Sequence, residues 1–226
     1  MSEATQRSPE GDDDVMTVDI VSDVVCPWCY IGKRRLEAAL AGRAAPPPRI
    51  RWHPFQLNPD IPAGGVDRRS YLEQKFGGPE RAREIYARVE AAGREVGIPF
   101  AFDRIERQPN TVDAHRLIAW AQGEAPAVAD RLVERLFEAY FTEGADIGSL
   151  DVLVRLASES GCDEAAARVH LASDAGRDAV AAADARTKSM GIGGVPFFIF
   201  NRRLAVSGAQ PAEVLRDALE QAESAT

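Results

Sequence analysis

Two cysteines separated by two residues stand where a predicted strand passes into a predicted helix. The segment Met16–Val21 alternates apolar and polar side chains, as a half-buried strand does. The motif Cys26-Pro27-Trp28-Cys29 follows, and residues 30–41 have the apolar spacing of a helix. Proline is tolerated in the first turn of such a helix. A cysteine pair in this setting indicates redox chemistry.

The order of the other predicted elements indicates the fold. A second strand, Arg49–Phe55, follows the first helix, and several helical patterns then fill residues 67–190, where only residues 98–102 are predicted to be extended. Strand patterns return at residues 195–200 and 204–206, before a last helix that begins near Pro211. A β-α-β unit followed by β-β-α is the plan of an α/β, thioredoxin-like fold, here with a large α-helical insertion.

Changes in composition along the chain predict its domain organisation. Residues 1–15 are polar and acidic and are predicted to form a disordered tail. Residues 58–65 are rich in proline and glycine and mark a boundary. We therefore predict a thioredoxin-like domain over residues 16–64 and 191–226, with a helical insertion domain over residues 65–190.

Net charge and hydropathy exclude several classes of partner. The formal charge of −8 at pH 7 argues against binding to nucleic acid or to an anionic membrane. The sequence contains neither a pattern typical of a secretory signal nor a run approaching the ~18 apolar residues that cross a bilayer. We expect a cytoplasmic protein, either a monomer or a homodimer.

The two cysteines of the motif are expected to have different roles. Cys26 lies at the start of the helix, where unpaired backbone N–H groups and the helix dipole favour an anion. We therefore expect Cys26 to be the nucleophilic thiolate. Cys29 lies one turn further on, is expected to be more buried, and would be the resolving thiol. Pro27 and Trp28 are expected to tune the reduction potential of the pair.

A metal site and a chance coincidence are the alternatives to redox chemistry for the cysteine pair. A structural zinc ion usually has four ligands in paired positions. Cys162 and the three histidines (His53, His115 and His170) provide no second close pair, so no metal is expected. Chance is disfavoured because the pair coincides with the β-α-β pattern.

A proline near the third strand extends the predicted site. Pro196 follows Val195 at the start of that strand, where proline is tolerated and could simply mark the strand edge. In the thioredoxin plan a cis proline at this place packs against the active disulfide and leaves a backbone edge for substrate. We therefore predict that Val195–Pro196 is cis, the isomer that is accessible only before proline.

Four segments carry a resemblance to a known family. They are residues 23–32, 109–116, 194–198 and 206–211. On these segments the sequence resembles the DsbA-like branch of the thioredoxin superfamily, and within it the FrnE-type cytoplasmic subfamily. This resemblance implies dithiol–disulfide oxidoreductase activity on thiol- or disulfide-containing proteins or small molecules, and a position for His115 in the wall of the substrate cleft. We expect no bound cofactor, with glutathione as a candidate co-substrate.

Two alternative functions remain. The same superfamily includes glutathione-dependent 2-hydroxychromene-2-carboxylate isomerases and kappa-type glutathione transferases, which typically have serine in place of the first cysteine. Cys26 argues against that assignment without excluding glutathione. A holdase chaperone is the second alternative, and it would use an exposed apolar cleft around Trp28, Phe197 and Phe198.

Overall fold

The computed structural model describes residues 15–224. The tail predicted for residues 1–15 lies outside this range except for Val15. Its predicted disorder therefore stays a prediction.

Strands and helices alternate at both ends of the chain, and helices fill the middle. The strands are β1 (Thr17–Ser22), β2 (Arg49–Pro54), β3 (Val66–Asp67), β4 (Arg107–Gln108), β5 (Phe197–Phe200) and β6 (Leu204–Ser207). The helices are α1 (Pro27–Leu40), α2 (Arg68–Phe76), α3 (Pro79–Glu95), α4 (Val112–Glu124), α5 (Pro126–Glu138), α6 (Leu150–Glu159), α7 (Glu164–Ala172), α8 (Arg177–Ser189) and α9 (Ala212–Ser224).

The main sheet has the strand order β2-β1-β5-β6. Strand β1 pairs in parallel with β2 and antiparallel with β5, and β6 completes the sheet beside β5. Five of the six residues of β1 are buried, as expected for a central strand that is covered on both faces. This arrangement confirms the predicted thioredoxin-like plan, with α2–α8 inserted between β2 and β5.

One continuous apolar core joins the sheet to the inserted helices. Helix α1 packs beside α9, while α4, α5 and α8 contact β2. Val18 and Phe200 of the sheet belong to the same buried cluster as Leu132 and Phe137 of α5. The division into two domains stays a prediction.

No helix within residues 15–224 has the length and apolar character needed to cross a membrane.

The structure corrects the prediction that residues 98–102 are extended. Residues 98–101 belong to no strand, and Phe102 begins a 3-10 turn that ends at Arg104. Phe100 stacks on Phe102 at 4.7 Å between ring centroids, and its ring lies edge-on to Phe141. The apolar side chains in this segment therefore serve aromatic packing and do not reflect pairing in a sheet.

Candidate functional site

The motif lies at the junction that the sequence predicts. Cys26 is the N-cap residue of α1, with extended backbone angles, and its side chain makes no capping hydrogen bond. Its amide donates to the carbonyl of Asp23, and its own carbonyl accepts from the amide of Cys29 at 3.0 Å. The first turn of α1 thus holds both sulfur-bearing residues in place while the helix dipole favours negative charge beside Cys26.

Cys29 is more deeply buried than Cys26, with 2% of its surface exposed against 5%. Burial raises the pKa of the Cys29 thiol well above its usual value, and the neighbouring Cys26 raises it further. The Ser22 hydroxyl and the Asp23 backbone act in the opposite direction but more weakly. Because a raised pKa favours the neutral form, Cys29 is protonated at neutral pH.

A backbone edge faces Cys26 from the other half of the sheet. The Cys26 Sγ atom lies 3.7 Å from the carbonyl oxygen of Val195, and the Val195–Pro196 peptide bond is cis. Pro196 is buried, and its carbonyl oxygen accepts from the amide of Gly208 at 2.9 Å, just beyond β6. The segment 195–196 therefore forms one wall of the site, about 170 residues from the cysteines in sequence.

Gly32 sets the close approach of α1 to this wall. A Cβ atom at position 32 would lie 2.9 Å from Pro196 Cγ and 3.1 Å from Phe198 Cζ. We expect Gly32→Ala to lower the free energy of unfolding by about 1–3 kcal/mol, as overpacking does. Gly123→Ala is the matched control, because a Cβ atom there meets nothing within 4 Å. Urea denaturation of both variants checks this, and an equal stability of Gly32→Ala and wild type would contradict it.

His115 lies on α4 and is 4% exposed. Its predicted position in the wall of the substrate cleft stays a prediction. Its Nε2 atom lies 3.4 Å from Oδ1 of Asp23, a residue that is 1% exposed. The carboxylate's other oxygen, Oδ2, accepts from the Leu57 amide at 2.9 Å. The histidine is thus a buried neighbour of the segment that precedes Cys26.

The apolar cleft suggested for a holdase is only partly present. Trp28 is 38% exposed, and Phe197 is half-buried. Phe198 is fully buried. Successive residues of β5 point to opposite faces of the sheet, so Phe198 shares a face with Phe200, and the two rings are stacked. Phe198 therefore offers no surface to a client protein.

The inserted helices bring a polar cluster that the sequence analysis missed. Arg68 is 3% exposed and donates hydrogen bonds to Gln108 Oε1, Tyr140 Oη and Tyr86 Oη. Burial raises the pKa of Tyr86, and the positive charge of Arg68 acts in the opposite direction. In the sequence, Arg68 follows a proline-rich loop, and no pattern there indicates that it lies at the centre of a buried polar cluster.

Within residues 15–224, no three His, Cys, Asp or Glu side chains come together as metal ligands do. Cys162 is half-buried between α6 and α7, and burial raises the pKa of its thiol. All three cysteines are unbridged.

Together, the sheet order and the thiol pair at the start of α1 define a thioredoxin-fold protein with a dithiol site. Residues 17–220 match the DSBA-like thioredoxin domain. The chain therefore belongs to the DsbA-like thioredoxin family, whose members are usually disulfide oxidoreductases.

Solved structures agree with this assignment. A probable DsbA oxidoreductase from Streptomyces coelicolor is 32% identical, with a TM-score of 0.83 over 93% of this chain and 91% of the other. The cytosolic disulfide reductase DsbM from Pseudomonas aeruginosa is 20% identical, with a TM-score of 0.66 over 93% of this chain and 100% of its own, and its structure with glutathione also matches. A 2-hydroxychromene-2-carboxylate isomerase is 19% identical, with a TM-score of 0.67 over 91% and 95% of the two chains. The last two likenesses show the fold alone.

Proposed function

We propose that this protein is a thiol–disulfide oxidoreductase in which Cys26 attacks and Cys29 resolves. The observation that carries the proposal is the asymmetry of the two thiols. Both thiols are buried, but Cys26 caps α1 and faces the Val195 carbonyl, whereas Cys29 lies one turn further into the helix and is held neutral. Exchange requires one thiolate that is ready to attack and a second thiol that acts later.

The reaction in the reducing direction has two steps. The Cys26 thiolate attacks a substrate disulfide, so that one substrate sulfur leaves as a thiolate and the other is bonded to Cys26. Cys29 then loses its proton and attacks the Cys26 sulfur, which releases the second substrate thiolate and forms the Cys26–Cys29 disulfide. The reverse sequence oxidises a substrate dithiol.

Thiol- and disulfide-containing proteins or small molecules are the proposed substrates, and glutathione is the proposed co-substrate. Membership of the DsbA-like family supports these substrates. The glutathione bound by DsbM, a protein of the same fold, supports glutathione as co-substrate. We also propose assignment to the FrnE-type subfamily and a cytoplasmic location, on the four sequence segments described above. The exposed ring of Trp28 beside the dithiol provides apolar contact for a peptide substrate.

The Cys29→Ser variant tests the proposal directly. Without the resolving thiol, we expect Cys26 to accumulate a stable mixed disulfide when the protein is incubated with glutathione disulfide or with insulin. Mass spectrometry of tryptic peptides after an acid quench locates the adduct. The control is the double variant Cys29→Ser/Cys162→Ser. Because Cys162 lies outside the site, this variant should carry the same adduct on Cys26.

The outcome also separates the alternatives. An adduct on Cys162 alone, or none at all, would contradict the assignment of Cys26 as the nucleophile. Isomerisation of 2-hydroxychromene-2-carboxylate that requires glutathione and survives Cys29→Ser would favour the isomerase branch. Suppression of aggregation that persists in a Cys26→Ser/Cys29→Ser double variant would favour a chaperone function.

A further inference from the structure

A groove lies on the face of the main sheet that is turned away from the main apolar core. Successive residues of a strand point to opposite faces, and Val18 of β1 belongs to the main buried cluster. Asp19 and Val21 therefore point to the other face. Asp19 is flanked in register by Arg51 of β2 and by Ile199 of β5. These four side chains form the floor of the groove.

Helix α8 forms the second wall of the groove. Ala183, Arg186 and Thr187 line it together with Met190, which caps the helix. Positions separated by three and four residues lie on one face of a helix, so α8 presents a continuous side to the sheet. The volume of the groove is about 580 Å³. Sites for small molecules usually measure about 300–1,000 Å³, so the groove has the size of such a site.

The one carboxylate that lines the groove is already neutralised. Asp19 lies 2.8 Å from two nitrogen atoms of Arg51 and 2.7 Å from His53 Nε2. Burial by itself would raise the pKa of Asp19, but hydrogen bonds from His53 and Arg51 outweigh it and lower the pKa. Asp19 is therefore ionised at neutral pH, and its charge is balanced by that of Arg51.

Two further arginines border the groove without a carboxylate partner. Among residues 15–224, neither Arg186 nor Arg202 forms an ion pair, and both are exposed. One carboxylate against three guanidinium groups leaves two positive charges in the groove, on a chain whose formal charge is −8. Guanidinium groups bind carboxylates through paired, charge-assisted hydrogen bonds. The groove therefore has the charge that attracts an anion.

The backbone holds Arg202 at the edge of the groove. Asn201 and Arg202 have φ angles of 50° and 57°, in the left-handed region that favours glycine. The Arg203 amide donates to the carbonyl of Phe200 at 3.0 Å, and the Asn201 amide donates to the carbonyl of Thr17 at 2.8 Å. The turn is thus tied to both β5 and β1. An arginine in this conformation indicates that its side chain has a role there.

We propose that this groove binds a small organic anion with an apolar body. The carboxylate of the ligand would pair with Arg186 and Arg202. Its apolar part would lie against Ile199 and Met190, of which Met190 is 62% exposed. None of residues 22–29 and none of residues 195–196 line the groove, so this site is separate from the dithiol and goes beyond the proposed function.

Isothermal titration calorimetry of the full-length protein tests the proposal with two carboxylates, 2-naphthoate and octanoate. We expect at least one of them to bind saturably with a Kd below about 1 mM, which is the affinity that a ligand of this size reaches in a preformed site. The uncharged 2-naphthamide has the same apolar body as 2-naphthoate. It should bind at least about tenfold more weakly than that carboxylate, because it lacks the charge that the arginines recognise.

Substitutions of the two arginines locate the site. Arg186→Gln and Arg202→Gln should each weaken binding of the carboxylate about tenfold, and they should not impair folding because both side chains are exposed. Arg177→Met is the matched control on the same helix, since Arg177 pairs with Asp113 and Asp174 outside the groove. The variant Cys26→Ser/Cys29→Ser should bind the carboxylate with the wild-type Kd.

Four results would overturn the anion site. They are no saturable binding of either carboxylate at millimolar concentration, equal affinity for 2-naphthamide and 2-naphthoate, wild-type affinity in both glutamine variants, and loss of binding in the double-serine variant. The last result would place the anion at the dithiol instead. Carboxylate binding in a protein that shows no disulfide exchange would contradict the proposed function and leave the anion site standing.

Discussion

Cys26→Ser is expected to abolish disulfide exchange, with a loss on the order of a thousandfold or more in dithiothreitol-driven insulin reduction. A serine hydroxyl stays protonated at neutral pH and forms no labile bond to sulfur, so the first step of the reaction cannot occur. Turbidity of the released insulin B chain measures the rate against uncatalysed reduction.

The variant should fold normally, which separates chemistry from stability. Cys26 occupies the N-cap of α1 without a capping hydrogen bond, and serine is a preferred residue at that position. We therefore expect Cys26→Ser to unfold at the same urea concentration as wild type or higher. Cys162→Ser, which changes the half-buried thiol between α6 and α7, should retain full activity. Wild-type turnover by Cys26→Ser would contradict the assigned nucleophile.

Arg116→Met is expected to lower the free energy of unfolding by about 3–5 kcal/mol. The Arg116 side chain is fully buried, and its guanidinium binds Asp113 and the backbone at the C-terminal end of α7. The carbonyl acceptors, some of them within the last turn of the helix, belong to His170, Leu171, Ser173 and Ala175. Methionine fills similar volume but leaves these carbonyls without a donor.

Arg177→Met provides the matched control for Arg116→Met. Arg177 also contacts Asp113, at 3.2 Å, but its side chain is 46% exposed. An exposed ion pair contributes at most about 1 kcal/mol, so this change should be small. Urea denaturation followed by circular dichroism compares the two, and equal midpoints would contradict the role assigned to Arg116.

The fold was largely predictable because its signals are local. The apolar faces of α3 and α5 follow directly from burial on one side of each helix, whereas β1 alternates in sequence although both of its faces are covered. The two-residue strands β3 and β4 are too short to leave such a pattern. The prediction for residues 98–102 failed because aromatic stacking, like strand pairing, selects apolar side chains.

The site was predictable where chemistry and chain position coincide, as at Cys26 and Cys29. The burial of His115 was not, because it depends on how α4 packs against β2 and against Asp23 in the segment that follows β1. The Arg68 cluster was also missed, since its phenol and amide partners come from separate elements of the insertion. Such contacts depend on tertiary packing, which a single sequence does not display.

Equilibration with mixtures of reduced and oxidised glutathione tests the central claim most directly. After an acid quench and alkylation, mass spectrometry gives the state of each cysteine. The account predicts one cooperative two-electron transition that joins Cys26 to Cys29 and leaves Cys162 as a thiol. Independent glutathione adducts on Cys26 and Cys29 under all conditions, with no bond between them, would contradict it.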